Sequence, residues 1–223
     1  MAATALTQEI IDRVRLRIGE PSVGMITDAE VAEFMSLAQR DIIWRLPDAA
    51  LWCVTTVKET TIVADQEEYT FEAADLAATG FVREVSVKWK DNYAKRWEAA
   101  HLKKLKSVSE LEPSETNPFY TVLTESFYFH VSAATQDNGD VFEVIYIQLP
   151  ADIDIGGVPV GPEFTRAYFP AIEDFVVGQC WEQRGNPPAS EKAMLRYAEK
   201  IVQIKGSYEE GVDVARYQQT QER

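Results

Sequence analysis

Cysteine, histidine and positive charge are all scarce in this chain. Its 223 residues include two cysteines and two histidines. Cys53 and Cys180 are too few and too far apart to form a disulfide framework, and both read as reduced, buried thiols. His101 and His130 lack metal-ligand spacing to a cysteine or to each other, so no metal site and no cofactor is expected. The 22 Lys and Arg are outnumbered by 36 Asp and Glu, a formal net charge of −14. That balance argues against a surface that grips nucleic acid by neutralising phosphates. Apolar runs never approach membrane-spanning length, so no membrane partner is expected. The opening MAATALTQEIIDRVRLRI mixes charge with apolar residues, unlike a secretory leader, and points to synthesis and folding in a cytosol. Also missing are a phosphate-cradling glycine loop, a dinucleotide fingerprint, a nucleophile elbow and a zincin helix. Adjacent carboxylates such as Glu67 and Glu68, or Glu209 and Glu210, say little in so acidic a chain and read as solvated faces.

What is present is amphipathic helix at both ends and strand in the middle. Thr27 followed by Glu30 is a capping box. Behind it Val31, Phe34, Met35, Ala38, Ile42 and Leu46 form one stripe at helical spacing, with Asp28, Glu33, Gln39, Arg40 and Arg45 largely off it. Pro47 ends the run. A first helix from about Thr7 to Ile18 turns Ile10, Ile11, Val14 and Ile18 inward and closes at Gly19 and Pro21. Together they read as an αα-hairpin in need of a third helix.

From Leu51 the texture changes. LWCVTTVKETTIVA, QEEYTF, FVREVSVKWK, FYTVLTESFYFHVSA and VFEVIYIQLP are β-branched, aromatic and partly alternating, and they read as strands. Turns are expected at Asp91–Asn92, at Thr124–Ser126 and within TQDNGD. Candidate packing positions are Tyr120, Val122, Phe127, Phe129 and Val131. WEAAHLKKLKSVSEL, from Trp97, reads as a short helix. A Gly/Pro-rich connector leads from Ala151 to a helix with Pro170 in its first turn, with Ala171, Phe175, Val176 and Trp181 as its dry side and Gly185 as its C-cap. A last helix runs from about Ala189 to Ser207, with Met194, Tyr197, Ala198, Ile201 and Ile204 inward. The expected class is α+β. Residues 1–50 and 160–206 form an antiparallel helical bundle, 51–150 a β-rich insertion, and 207–223 a flexible polar tail.

The basic cluster is Lys88, Lys90, Lys95, Arg96, Lys103, Lys104 and Lys106, interleaved with Trp89, Tyr93 and Trp97. It reads first as a solvated, lysine-protected edge, second as a contact between subunits, and third as a nucleic-acid surface.

Taken in order, these segments resemble the head-to-tail adaptor, or connector, proteins of tailed phages. The resemblance is carried by Ala38, Gln39, Arg40, Asp41 and Ile42 within ITDAEVAEFMSLAQRDIIWRLPDA. NPFYTVLTESFYFHVS is similar to the family's Pro-x-Tyr, turn, apolar-x-apolar segment, and FPAIEDFVVGQCWEQRGNPPASEKAMLRYAEKI to its closing helix pair. The inserted region is larger than in the smallest adaptors. The resemblance implies a structural protein of the virion at the head–tail junction, without catalytic turnover. It implies a homo-oligomeric ring, commonly twelvefold, docked beneath the portal protein, with a downstream tail or nozzle protein bound below. Double-stranded DNA would pass through the lumen without specific binding, which an acidic wall favours. On this reading Asp28, Glu33, Arg40, Arg45, Lys103 and Lys104 are candidate subunit contacts. Tyr208, Val212, Val214 and Tyr217 are candidate portal-binding residues of the tail. Two rival readings are a tail-associated cell-wall glycan hydrolase and a glycan-binding β-domain presenting Trp89, Tyr93 and Trp97.

Overall fold

The computed structural model describes residues 3–20, 24–63, 66–72, 74, 76, 80–98, 113–131, 140–155 and 164–221, with side chains from residue 5 to 208 within those ranges. The class is α+β, with four α-helices and a seven-stranded sheet among the described residues. The chain divides into a helical unit, Met1–Val54 with Pro150–Arg223, and a sheet unit, Thr55–Leu149.

The helical unit contains α1 (Ala3–Ile18), α2 (Asp28–Arg45), α3 (Phe169–Gln183) and α4 (Pro187–Gln221). The capping box of α2 is present: the Glu30 N–H donates to Thr27 Oγ1 at 3.2 Å and the Thr27 N–H to Glu30 Oε2 at 2.7 Å. Val31, Met35, Ala38, Ile42 and Leu46 are buried, and Phe34 is half-buried. Gln39 departs from the expected pattern. It lies between the turns of Met35 and Ile42 and Ile43 and is fully buried. Thr7 falls inside α1 rather than at its start, and it too is buried.

The element at the centre is α3. Every residue from Phe169 to Cys180 is buried except Pro170 and Gln179. Two of these, Glu173 and Asp174, are carboxylates, and a buried carboxylate is tolerated when cations and hydrogen bonds meet it. Arg13 of α1 reaches Glu173 at 2.9 Å. Arg17 of α1 and Lys200 of α4 both bond Asp174, with Arg196 of α4 at 3.3 Å. Gln183 donates to Glu30 of α2 at 2.8 Å. The Phe175 ring meets Tyr197 of α4 edge-on at 5.2 Å. At Gly178 the two helices come so close that a Cβ would lie 2.7 Å from the Met194 sulfur. Pro170 occupies the first turn of α3, where its missing N–H is harmless. Gly185, at φ +68°, ends the helix. The last helix begins two residues before the expected Ala189 and does not stop at Ser207; its backbone is helical through Gln221.

The sheet unit contains β1 (Thr55–Thr61), β2 (Glu68–Thr70), β3 (Phe81–Trp89), β4 (Asn92–Arg96), β5 (Phe119–Leu123), β6 (Ser126–His130) and β7 (Val141–Gln148). They lie in the order β1-β7-β3-β4-β5-β6-β2. All pairs are antiparallel except β4 with β5. Tyr69 on edge strand β2 packs against Phe142 of β7 at 4.8 Å, five places away in that order, so the sheet curls over its own core. Trp89, Phe127, Phe129 and Tyr146 complete this aromatic interior.

Two hairpins turn on two residues each. Lys90–Asp91 links β3 to β4, and Thr124–Glu125 links β5 to β6. The first turn sits one residue earlier than expected. Its leading residue, Lys90, has φ +53°, as Thr124 does at +54°. In β3, strict alternation would set Phe81, Arg83, Val85, Val87 and Trp89 on one better-buried face, and it holds only at the strand's end. Register shifts between Phe81 and Arg83 and between Glu84 and Ser86 rotate the strand, so Val85 is exposed while Val87 and Trp89 are buried. The helix expected from Trp97 to Leu111 lies outside the described residues beyond Glu98.

Candidate functional site

A helix with one dry stripe has an opposite side to dispose of, and on α2 that side is not simply polar. Glu33, Leu37, Arg40 and Trp44 recur at intervals of four, three and four, which places them on one face. That face is opposite the arc that buries Met35 and Ile42. Leu37 is 39% exposed and Trp44 67%. On α4 the inner face is Ala193, Tyr197 and Ile201, and the outer face carries Leu195 and Val202, 60% and 68% exposed. Ala198, expected inward, is exposed as well.

Two recesses flank α2 and share Glu33. One, of about 320 Å³, is lined by Ala29, Glu33, Ser36, Leu37, Arg40, Asp152 and Ile153. Its wall is set by Ser36, whose hydroxyl accepts from the Ile153 N–H at 2.9 Å and donates to the Ala32 carbonyl at 3.0 Å. The other, of about 350 Å³, is lined by Glu30, Glu33, Phe34, Gln179, Glu182 and Gln183. The Thr27 backbone N–H, then the Gln183 amide and the Thr27 hydroxyl, hold the Glu30 carboxyl below its ordinary range. The first recess combines carboxylates with Arg40 and the second carboxylates with amides; neither lining contains histidine, thiol or lysine, and the Ser36 hydroxyl is tied to the Ala32 carbonyl and the Ile153 N–H.

Of the residues with the most chemical potential, Cys180 and His130 are held structurally, and His101 lies outside the described residues. Burial pushes the Cys180 thiol up to about 12, which leaves it un-ionised and inert at neutral pH. Cys53 is half-buried. His130 sits in β6 with Nε2 3.0 Å from Thr121 Oγ1. Among the described residues no cluster of His, Cys, Asp and Glu could hold a metal ion, and no helix is long and apolar enough to cross a membrane.

The charged residues singled out from sequence sit in varied company. Asp28 accepts from Arg15 Nε at 2.8 Å. Arg40 pairs with Asp152 at 2.5 Å and remains 41% exposed. Arg45 pairs with Asp41 at 2.5 Å, its guanidinium 5.8 Å from the Tyr197 ring. Glu33 is exposed and borders both recesses. The Tyr208 hydroxyl lies 3.5 Å from that of Tyr168, which donates in turn to the Ala50 carbonyl. Val212, Val214 and Tyr217 lie on helical backbone, and their side chains, like all of Lys103 and Lys104, are outside the described residues.

In the sheet unit three of the four described members of the basic cluster are ion-paired, and the fourth, Lys95, donates to Asn117 at 2.9 Å. Lys88 pairs with Glu143 at 2.9 Å, Lys90 with Asp140 at 2.7 Å and Glu115 at 2.8 Å, and Arg96 with Glu84. The aromatic platform envisaged for a glycan or a single strand is corrected. Trp89 is fully buried in the core, Trp97 is half-buried edge-on to Phe119 at 5.6 Å, and Tyr93 alone of the three is exposed. Sequence reasoning missed Leu37, Trp44, Leu195 and Val202. The signal was available, since an apolar residue recurring every seven positions on the polar side of a helix marks a second seam.

No curated protein matches the chain. The family described as SU10 adaptor protein matches residues 6–222, a span that takes in both units and every strand. The chain therefore belongs to the SU10 adaptor protein family, in agreement with the head-to-tail adaptor resemblance carried by its own residues.

Proposed function

We propose that this protein is a structural head-to-tail adaptor of a tailed phage, assembling as a ring, commonly twelvefold, beneath the portal. Its lumen continues the DNA channel. The observation that carries the reading is the family match across residues 6–222. The exposed apolar positions of α2 and α4 support it, because side chains such as Trp44 and Val202 are more costly to leave in water than to bury against a neighbour.

On this reading the helical unit builds the ring, with Asp28, Glu33, Arg40, Arg45, Lys103 and Lys104 at subunit contacts. The C-terminal part of α4, with Tyr208, Val212, Val214 and Tyr217, engages the portal, and the sheet unit receives the downstream tail or nozzle protein. A net charge of −14 suits a conduit that repels the passing duplex rather than binding it. The protein works by shape and contact, with no chemical step.

The test is native mass measurement of the purified protein, alone and mixed with its cognate portal. A discrete closed oligomer, free or on the portal, is the expected result. Monomers that persist at high concentration with the portal present would overturn the reading.

A further inference from the structure

The outer faces of α2 and α4 repeat one pattern. On α2 it runs Glu33, Leu37, Arg40, Trp44, and on α4 it runs Lys192, Leu195, Glu199, Val202. In both, the apolar positions are seven residues apart and so are the charged ones, and the charges have opposite signs in order. Laid side by side in the same direction, Leu37 meets Leu195 and Trp44 meets Val202. Glu33 then faces Lys192 and Arg40 faces Glu199. Direction matters, since each residue advances about 100° around a helix. On α2 the charged pair lies to one side of the apolar line, and on α4 to the other. Only a parallel arrangement brings the two charged flanks together; an antiparallel one would set Glu199 beside Asp41.

These faces cannot meet within one chain. Tyr197 of α4 donates to Asp41 of α2, so α4 turns its inner face to its own α2. Leu195 lies about 200° around the helix from Tyr197. The exposure of Trp44, Leu195 and Val202 agrees with this.

We propose that the outer face of α2 in one copy packs, in parallel, on the outer face of α4 in the next. This contact rests on the ring reading and supplies what a ring requires. The two faces differ, so the interface is heterologous, and repeating it propagates head to tail until the rotation closes. A two-fold dimer through either face alone would bring like charges together. The Arg40–Asp152 pair is exposed and can be exchanged for Glu199 at little cost.

The experiment uses cysteine pairs in the full chain, with Cys53 replaced by Ser. A Leu37→Cys chain is mixed with a Leu195→Cys chain, with and without the portal, and oxidised. Mixed cross-links between the two variants, exceeding those within either variant and those of Leu37→Cys with Val202→Cys, are the expected result. Assemblies that show no such preference, or that favour the Leu37/Val202 pairing, overturn the contact while leaving the ring intact. Absence of any assembly with portal present overturns the ring and this contact together. Charge reversal gives an independent readout. Arg40→Glu and Glu199→Arg should each weaken association about tenfold, and the double variant should restore it. Failure of restoration while both single variants stay folded by circular dichroism overturns the pairing.

Discussion

Tyr197 of α4 donates its hydroxyl to Asp41 Oδ2 of α2 at 2.5 Å, and Arg45 donates to the same oxygen at 2.5 Å. Burial, followed by the hydrogen bond to Asp41, pushes the phenol well above its ordinary range. Tyr197→Phe keeps the ring against Phe175 and removes one of the two donors to that oxygen, leaving Arg45 in place, so a loss of about 1 kcal/mol is expected from the denaturant midpoint. The neutral phenol is the form the fold holds. Its contribution is therefore full below pH of about 10 and is lost as pH rises through the folded value, so the variant should show a flatter alkaline decline.

At the acid end the group to watch is Asp174. Its burial alone would raise its pKa, but hydrogen bonds from Arg17 and Lys200 outweigh that and hold the carboxyl below its ordinary value. The stabilisation is thus present above pH of about 4 and is lost as pH falls through the folded value. Asp174→Asn leaves Arg17, Lys200 and Arg196 facing a neutral amide, and a cost of about 3 kcal/mol is expected by chemical denaturation at pH 7.

Backbone strain gives a prediction of opposite sign. Thr124 is β-branched and sits at φ +54° in the turn between β5 and β6. Thr124→Gly should raise stability by about 1 kcal/mol. Gly185→Ala, at φ +68°, should lower it by a similar amount. Paired thermal melts measure both.

The close approach of α3 and α4 gives a fourth prediction. A Cβ at position 178 would press on the Met194 sulfur, and branching adds to the crowding. Gly178→Val should cost about 2 kcal/mol. Met194→Ala in the same chain should recover part of that loss, which a double-variant cycle by denaturant titration would measure.

The local features of α2 could be read from its residues. The capping box, the stop at Pro47 and the buried positions Val31, Met35, Ala38 and Ile42 all follow from spacing and side-chain chemistry within about twenty residues. The position of α3 could not. Its buried Glu173 and Asp174 read as surface residues until Arg13, Arg17 and Lys200, from helices far away in sequence, are brought to them. Likewise Tyr120, Phe127 and Phe129 were recognisable as core, whereas the parallel pairing of β4 with β5 and the bulges in β3 depend on which strand lies alongside. Trp89 shares the inward alternation of Val87 beyond those bulges, and it could serve as a surface platform only on the rival reading that grouped it with Tyr93 and Trp97. On the faces proposed as subunit contacts the charged members, Glu33 and Arg40, were singled out by their polarity. Leu37 and Trp44 were overlooked, because an apolar residue signals an interface only once its own fold is known to leave it uncovered.

The division of the helical unit into two stretches of chain also fixes an order of events during synthesis. Residues 55–149 leave the ribosome before any of α3 emerges. The sheet unit holds all its strands in that one stretch and can close as soon as β7 emerges to lie between β1 and β3. Throughout that interval α1 and α2 have been made, but their dry faces still await α3. The nascent chain thus carries a finished β-domain behind a sticky, half-built helix pair, and the last helices to be translated are what end that exposure.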